Sequence, residues 1–124
     1  DFTEDSMWAG FDAGQRAKLA EAGCVELPSE YSEGPYVITR RLIEEGRERL
    51  VLRTPLALPF PTRFLQGTGD ADVDTSVAYR LLDHAQGADI RLTLVKGADH
   101  RFSDPDCLAM IEQAIDDVSA RTAV

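Results

Sequence analysis

Positive charge is scarce in this chain. Lysine and arginine together number 13 against 22 aspartates and glutamates in 124 residues, a formal net charge of -9. That balance argues against nucleic acid, whose phosphates need a basic face, and against an anionic membrane surface. It suits a soluble protein that repels its neighbours. Cysteine is scarce as well. Cys24 and Cys107 lie far apart with no CxxC spacing, so the expectation is two buried thiols in a reducing compartment rather than a disulfide framework. With only His84 and His100 to add, no zinc pattern forms. There is no long apolar run for a membrane helix and no leader with a basic start and an apolar centre. A cytoplasmic protein without membrane contacts is therefore expected. Internal repeats and low-complexity linkers are absent too, and a hydrophobic fraction of 44% makes disorder an unsuitable reading.

What is present reads as one small domain or a piece of a larger one. A start at Asp1 rather than Met leads us to expect residues upstream. Up to about Leu58 the chain reads as helical and irregular. Asp12, with Gln15 three residues on, opens a helix like a capping box, and Gly23 closes it. "PSEYSEGPYVITRRLIEEG" predicts a second helix with Pro35 at its first position and Gly46 just past its end. "RERLVL" suits a short helix or a strand equally. The second half is clearer. "TRFLQG" predicts a strand and "DTSVAYRLLDHAQG" a helix with Val77, Ala78, Leu81, Leu82 and Ala85 on one face, stopped at Gly87. "DIRLTLVKG" predicts another strand. "SDPDCLAMIEQAIDDVSA" predicts a helix capped by Ser103 or Asp104, with Leu108, Ile111, Ile115 and Val118 as its buried stripe. Strand, helix, strand, helix is the order of a parallel sheet with crossover helices. Two strands are too few for one, so the chain looks like part of a sheet.

The chemistry concentrates in "PTRFLQGTGDADVDTS", where three aspartates alternate after two glycines. A calcium loop counted from Asp70 would need glycine and glutamate where Thr75 and Leu81 stand. A dinucleotide loop would need a third glycine where Asp72 stands, and the acids would repel the pyrophosphate. Asp74 reads as the N-cap of the following helix and Asp72 as a solvated loop residue. Asp70 lies directly off the carboxyl end of a strand, where open α/β sheets place their chemistry. His100, in "KGADHRFS", occupies the matching loop after the next strand. An aspartate that fixes one imidazole nitrogen leaves the other to take a proton from a nucleophile. Residue type and position alone leave a catalytic pair and a structural pair equally open.

"FLQGTGDADVDTSVAYRLL" followed by "IRLTLVKGADHRFS" resembles the C-terminal part of the α/β-hydrolase fold. There a G-x-x-D-x-x-V loop carries the triad acid and a G-x-D-H loop the histidine. Gly67, Asp70 and Val73 match the first; Gly97, Asp99 and His100 match the second. Asp74 stands where the family often has proline. "DFTEDSMW", "LPSEYSEGPYVITRRLIEEG" and "LPFPTRFLQG" are similar to the mitochondrial acyl-protein thioesterase and acyl-glucuronide esterase group with its bacterial relatives. The resemblance implies a small helical cap segment over residues 1–58, with Met7, Trp8, Tyr36 and Ile38 as candidate acyl-pocket linings. Residues 59–124 would be the last parallel strands of the core with their crossover helices. It implies Asp70 as acid and His100 as base of a serine hydrolase acting on ester or thioester bonds, with no cofactor and no metal. Asp99 then reads as shaping its loop, and His84 and both cysteines as structural. None of the chain's serines (Ser6, Ser29, Ser32, Ser76, Ser103, Ser119) lies in the G-x-S-x-G elbow that carries the nucleophile. The implied partners are therefore a small ester or acyl-thioester substrate and an N-terminal half of the same fold that supplies the serine and the oxyanion hole. The alternative is a catalytically inactive fragment or pseudoenzyme acting as a binding or structural subunit.

Overall fold

Asp12 opens the first regular helix by satisfying backbone that a helix start leaves bare. Its carboxylate accepts the Gln15 N–H at 2.8 Å while the Gln15 side chain accepts the Asp12 N–H at 2.9 Å, a reciprocal box. The computed structural model describes residues 1–29 and 32–122, and within them the chain divides into two compact units, Asp1–Arg53 and Thr54–Val124.

In the first unit a π-helical segment, Thr3–Trp8, precedes α1 (Ala13–Ala22), which ends at Gly23 with φ 76°. β1 (Cys24–Leu27) and β2 (Tyr36–Thr39) pair antiparallel, Cys24 opposite Thr39 and Leu27 opposite Tyr36. Then comes α2 (Arg40–Arg47). The helix expected from Pro35 thus begins five residues later. Val37, Ile38 and Thr39 are β-branched and favour a strand, and the Thr39 hydroxyl caps α2 by accepting the Leu42 N–H at 3.1 Å. Glu30 and Tyr31, in the same stretch, lie outside the described residues. Gly46 does not stop α2 but lies inside it; a Cβ there would sit 2.3 Å from Thr3 Oγ1, so glycine admits the N-terminal segment. After Arg47, which ends α2, "RERLVL" forms neither helix nor strand, because the Asp1 carboxylate accepts the N–H groups of Val51 and Leu52 and pairs with Arg53. Phe11, Leu19, Val25, Ile38 and Ile43 make the core of this unit, with Met7, Trp8 and Leu27 packed on it.

In the second unit β3 (Leu56–Ala57) pairs parallel with β5 (Ala85–Gln86), and β4 (Thr62–Gly67) pairs parallel with β6 (Ile90–Val95). Thr62 stands opposite Ile90 and Gly67 opposite Val95, so the two strands end side by side. The crossover between β4 and β6 contains α3 (Thr75–His84), which packs on both strands. It stops at His84, short of Gly87, because Ala85 and Gln86 enter β5. Strand side chains alternate. Leu65 and Val95 share the face covered by α4 (Pro105–Thr122), where they meet Ala98, Phe102, Cys107, Met110 and Ile111. The expected stripe of α4 is corrected at two positions: Leu108 is 48% and Ile115 56% exposed. Apolar residues occupy more than one face of this helix. The face closed in this chain is set by Cys107 in its first turn.

Candidate active site

The loops leaving β4 and β6 are stitched together backbone to backbone. Thr68 N–H donates to the Val95 carbonyl at 2.9 Å and Gly69 N–H to the Ala98 carbonyl at 3.0 Å. Gly97 N–H donates to Thr68 Oγ1 at 2.8 Å. Such contact leaves no room for side chains at the crossing. A Cβ on Gly67 would meet the Ala98 carbonyl oxygen at 2.1 Å, and one on Gly69 the Gly97 carbonyl oxygen at 2.8 Å. The two glycines before Asp70 are therefore there for space, and they bring the aspartate loop onto the histidine loop.

Asp70 is held on both carboxylate oxygens. Oδ1 accepts the N–H groups of Asp72 at 2.9 Å and Val73 at 2.8 Å. Oδ2 accepts Gln66 Nε2 at 3.1 Å and lies 2.9 Å from His100 Nδ1. Burial pushes this carboxyl up, since its side chain is only 7% exposed. The bonds from Val73, His100 and Asp72 outweigh burial and hold it below the usual carboxylate range. An ionised carboxylate only accepts, so Nδ1 of His100 carries the proton. The second nitrogen, Nε2, then has a free lone pair and makes no hydrogen bond among the described residues. The hydrogen bond to Asp70 raises the His100 pKa; burial opposes it, and the charges of Asp70, Asp72 and Asp99 add to the rise. With its side chain 46% exposed, the ring remains open to a reactant.

The histidine loop is anchored from below. Asp99 Oδ1 accepts the Phe102 N–H at 3.0 Å, which makes Asp99 a loop-shaping residue. Phe102 has φ 51°, a left-handed conformation unusual for an aromatic residue. It is tolerated because the ring is buried beside Ala98 and Cys107. Asp104 Oδ1 accepts the N–H groups of Asp106 at 3.0 Å and Cys107 at 3.1 Å, capping α4. His100 thus rides on a turn fixed at both ends.

Other expected residues fall where the sequence put them, with exceptions. Asp74 caps α3, accepting the Ser76 N–H at 2.8 Å. Asp72 is exposed on its loop. Asp70, Asp72 and His100 each offer a ligand atom within 4.8 Å of the others. The Asp70 carboxylate and His100 Nδ1 are already engaged in hydrogen bonds. His84 Nε2 donates to the Thr54 carbonyl at 2.7 Å and is structural. Cys107 is buried, while Cys24 is only half-buried; both thiols are free. The expected acyl-pocket linings all lie in the first unit. Ile38 is core, Met7 and Trp8 pack against that core, and Tyr36 is 48% exposed. An apolar pocket in the first unit, about 200 Å³, is lined by Trp8, Leu19, Ala20 and Ile43 with arginines at its rim. Trp8 is the one residue it shares with the expected set. One residue escaped the sequence reading altogether. Gln66 reaches forward from the end of β4 to the carbonyls of Gly67 and Val73, each at 3.1 Å, as well as to Asp70. Its signal was an amide directly before the strand-ending glycine.

Two parallel strands joined by a helical crossover, with an aspartate on one carboxyl-end loop and its histidine partner on the next, define part of an α/β-hydrolase fold. Particular relatives bear this out. The chain is 38% identical to a putative hydrolase from Agrobacterium vitis S4, with a TM-score of 0.91 over 94% of this chain and 45% of that one. Mouse alpha/beta hydrolase domain-containing protein 10 superposes with a TM-score of 0.81 at 23% identity, over 98% of this chain and 48% of that one, which speaks for the fold alone. Among curated proteins, the mitochondrial palmitoyl-protein thioesterase ABHD10 of Bos taurus is 30% identical over 104 residues, 83% of this chain and 34% of that protein. Its Homo sapiens counterpart is 29% identical over 97 residues, 77% of this chain and 32% of that protein. The chain therefore spans about a third of the length of the curated relatives it matches. No family model matches it. The expectation of a cytoplasmic location is overturned: these curated relatives are mitochondrial by name.

Proposed function

We propose that Asp70 and His100 are the acid and the base of a serine hydrolase that cleaves carboxylic esters or thioesters, its nucleophilic serine lying on a segment outside this chain. The observation that carries the reading is the 2.9 Å contact between Asp70 Oδ2 and His100 Nδ1, which leaves Nε2 uncommitted at the carboxyl ends of two adjacent strands. Thioester cleavage is favoured by the name of the curated relatives, palmitoyl-protein thioesterase.

In this mechanism Nε2 accepts the serine proton as the hydroxyl attacks the acyl carbonyl, and returns it to the departing alcohol or thiol. A water then repeats the cycle on the acyl-enzyme. Asp70 keeps the ring in the Nδ1–H tautomer and stabilises the imidazolium. The oxyanion is held by backbone N–H groups that this chain does not supply.

Incompleteness has its own support. A two-stranded parallel sheet is not a stable unit, since such sheets are normally buried among further strands and helices. The exposed Leu108 and Ile115 on α4 are apolar surface of the kind a neighbouring element covers. The chain alone is therefore inert and self-associating, because without a nucleophile there is no covalent catalysis. The test is thioester and p-nitrophenyl ester turnover by the purified 124-residue chain beside the full-length protein. Turnover by the full-length protein alone, abolished by His100→Ala, supports the reading. Turnover by the short chain that His100→Ala abolishes would sink the claim of an external nucleophile.

A further inference from the structure

We infer that Gln66 is a positioning residue for the aspartate–histidine pair, through the side-chain amide that sets the Asp70 carboxylate on its bearing toward His100. The inference rests on the catalytic reading of that pair and adds a residue to it.

The amide of Gln66 touches the loop it begins at three places: the Gly67 carbonyl at its start, Asp70 Oδ2 in its middle and the Val73 carbonyl at its end, all at 3.1 Å. All three are acceptors, which fixes the contacting atom as the NH₂ nitrogen. Two N–H groups shared among three acceptors make a clamp. The loop can neither open nor rotate the Asp70 carboxylate without losing them. Gln66 and His100 are also the two side chains that bond Oδ2 among the described residues. The backbone bonds from Asp72 and Val73 hold Oδ1 and leave rotation about the carboxylate bond to be checked from the Oδ2 side. Gln66 itself cannot drift, since it lies on the last paired stretch of β4, with Gln66 opposite Leu94.

A loop filler and a positioning residue make different predictions. A filler affects stability only. A positioning residue affects how Asp70 titrates and how well His100 serves as a base, at little cost to substrate binding. Gln66→Met keeps length and removes both donors. Gln66→Glu keeps shape and sets an acceptor against Oδ2.

The experiment is carried out on the full-length protein with both variants and His100→Ala. Readouts are kcat and KM for a thioester, the ¹³C titration of the Asp70 carboxyl, and the downfield proton signal of His100 Nδ1–H. We expect kcat to fall about tenfold in Gln66→Met with KM unchanged, the size of one charge-assisted hydrogen bond. The Asp70 midpoint moves up, because a hydrogen bond to the charged form has gone, and the Nδ1–H signal broadens. Gln66→Glu falls further, and most steeply at alkaline pH. If His100→Ala is inactive while both Gln66 variants keep wild-type kcat and Asp70 midpoint, the positioning role is overturned and the catalytic reading stands. If His100→Ala is fully active, the catalytic reading fails, and the positioning role with it. Should Gln66→Met not fold, the isosteric Gln66→Glu decides alone.

Discussion

Replacing Gly67 by alanine would drive a methyl group into backbone. The added Cβ lands 2.1 Å from the Ala98 carbonyl oxygen and 2.6 Å from its carbon, and neither belongs to a side chain that can turn away. Comfortable C···O contact begins near about 3.3 Å, so the histidine loop has to retreat by more than about 1 Å. Overpacking of this kind costs about 1–3 kcal/mol, and a backbone obstacle lies at the top of that range. The Gly69 N–H to Ala98 carbonyl bond is lost in the retreat, adding about 1 kcal/mol. Gly97→Ala is the matched control. A Cβ there meets open space, but φ is 78°, so its cost is conformational, about 1–2 kcal/mol. Urea unfolding of the full-length protein ranks the two variants. Gly67→Ala should be the more damaging, and His100 should lose its downfield Nδ1–H signal in that variant. A Gly67→Ala protein as stable as wild type, or more stable than Gly97→Ala, would refute the view that the two loops are packed by backbone contact.

The pair should also show in the pH dependence of stability. The raised His100 pKa stabilises the folded state fully below about pH 6.5, the ordinary histidine value, and that contribution disappears as pH rises through the raised pKa. The lowered Asp70 pKa contributes above about pH 3.9, and this is lost as pH falls through the lowered value. Asp70→Asn should therefore cost most between those limits, and a pH-independent cost would contradict the pairing. The acid limb of kcat/KM, where His100 must be neutral to act as a base, should lie above the ordinary histidine midpoint. Arg63 bridges Asp89 and Asp117 near the start of β4, far along the strand from the loops, so Arg63→Met should lower Tm while leaving kcat unchanged. Loss of activity in the folded variant would contradict that separation. Cys107 is buried and its thiol is pushed up to about 11, with the Asp104 hydrogen bond the main cause and burial next. A thiol reagent should label Cys24 in the folded chain and reach Cys107 only after unfolding.

The clearest sequence signals were those in which one residue type has one job. Asp12 with Gln15, Gly23 and Asp74 all bound helices as read, because caps are local chemistry, and of the two candidates Ser103 and Asp104 it is Asp104 that caps α4. β4 and β6 appeared where apolar runs ended in glycine, and the meeting of Asp70 with His100 followed once those strands were adjacent and parallel. The misreadings share a cause in long-range contact. Gly46 looked like a helix stop but makes room for Thr3, forty-three positions away. The stretch after α2 could not be read because its N–H partners belong to Asp1. Two of the four stripe positions on α4, Leu108 and Ile115, are exposed because helical spacing fits more than one face, and only packing chooses between them. Gln66 went unnoticed because an amide at a strand end carries no motif; its meaning lies in three acceptors that converge only when the loop folds back.

One measurement bears on the central claim most directly: the intact mass of the protein as the cell makes it, followed by labelling with a fluorophosphonate probe. The account predicts a species well beyond these 124 residues, labelled on a single serine outside them, with labelling abolished by His100→Ala. A native protein of this length that no probe labels, or labelling indifferent to His100, would contradict it.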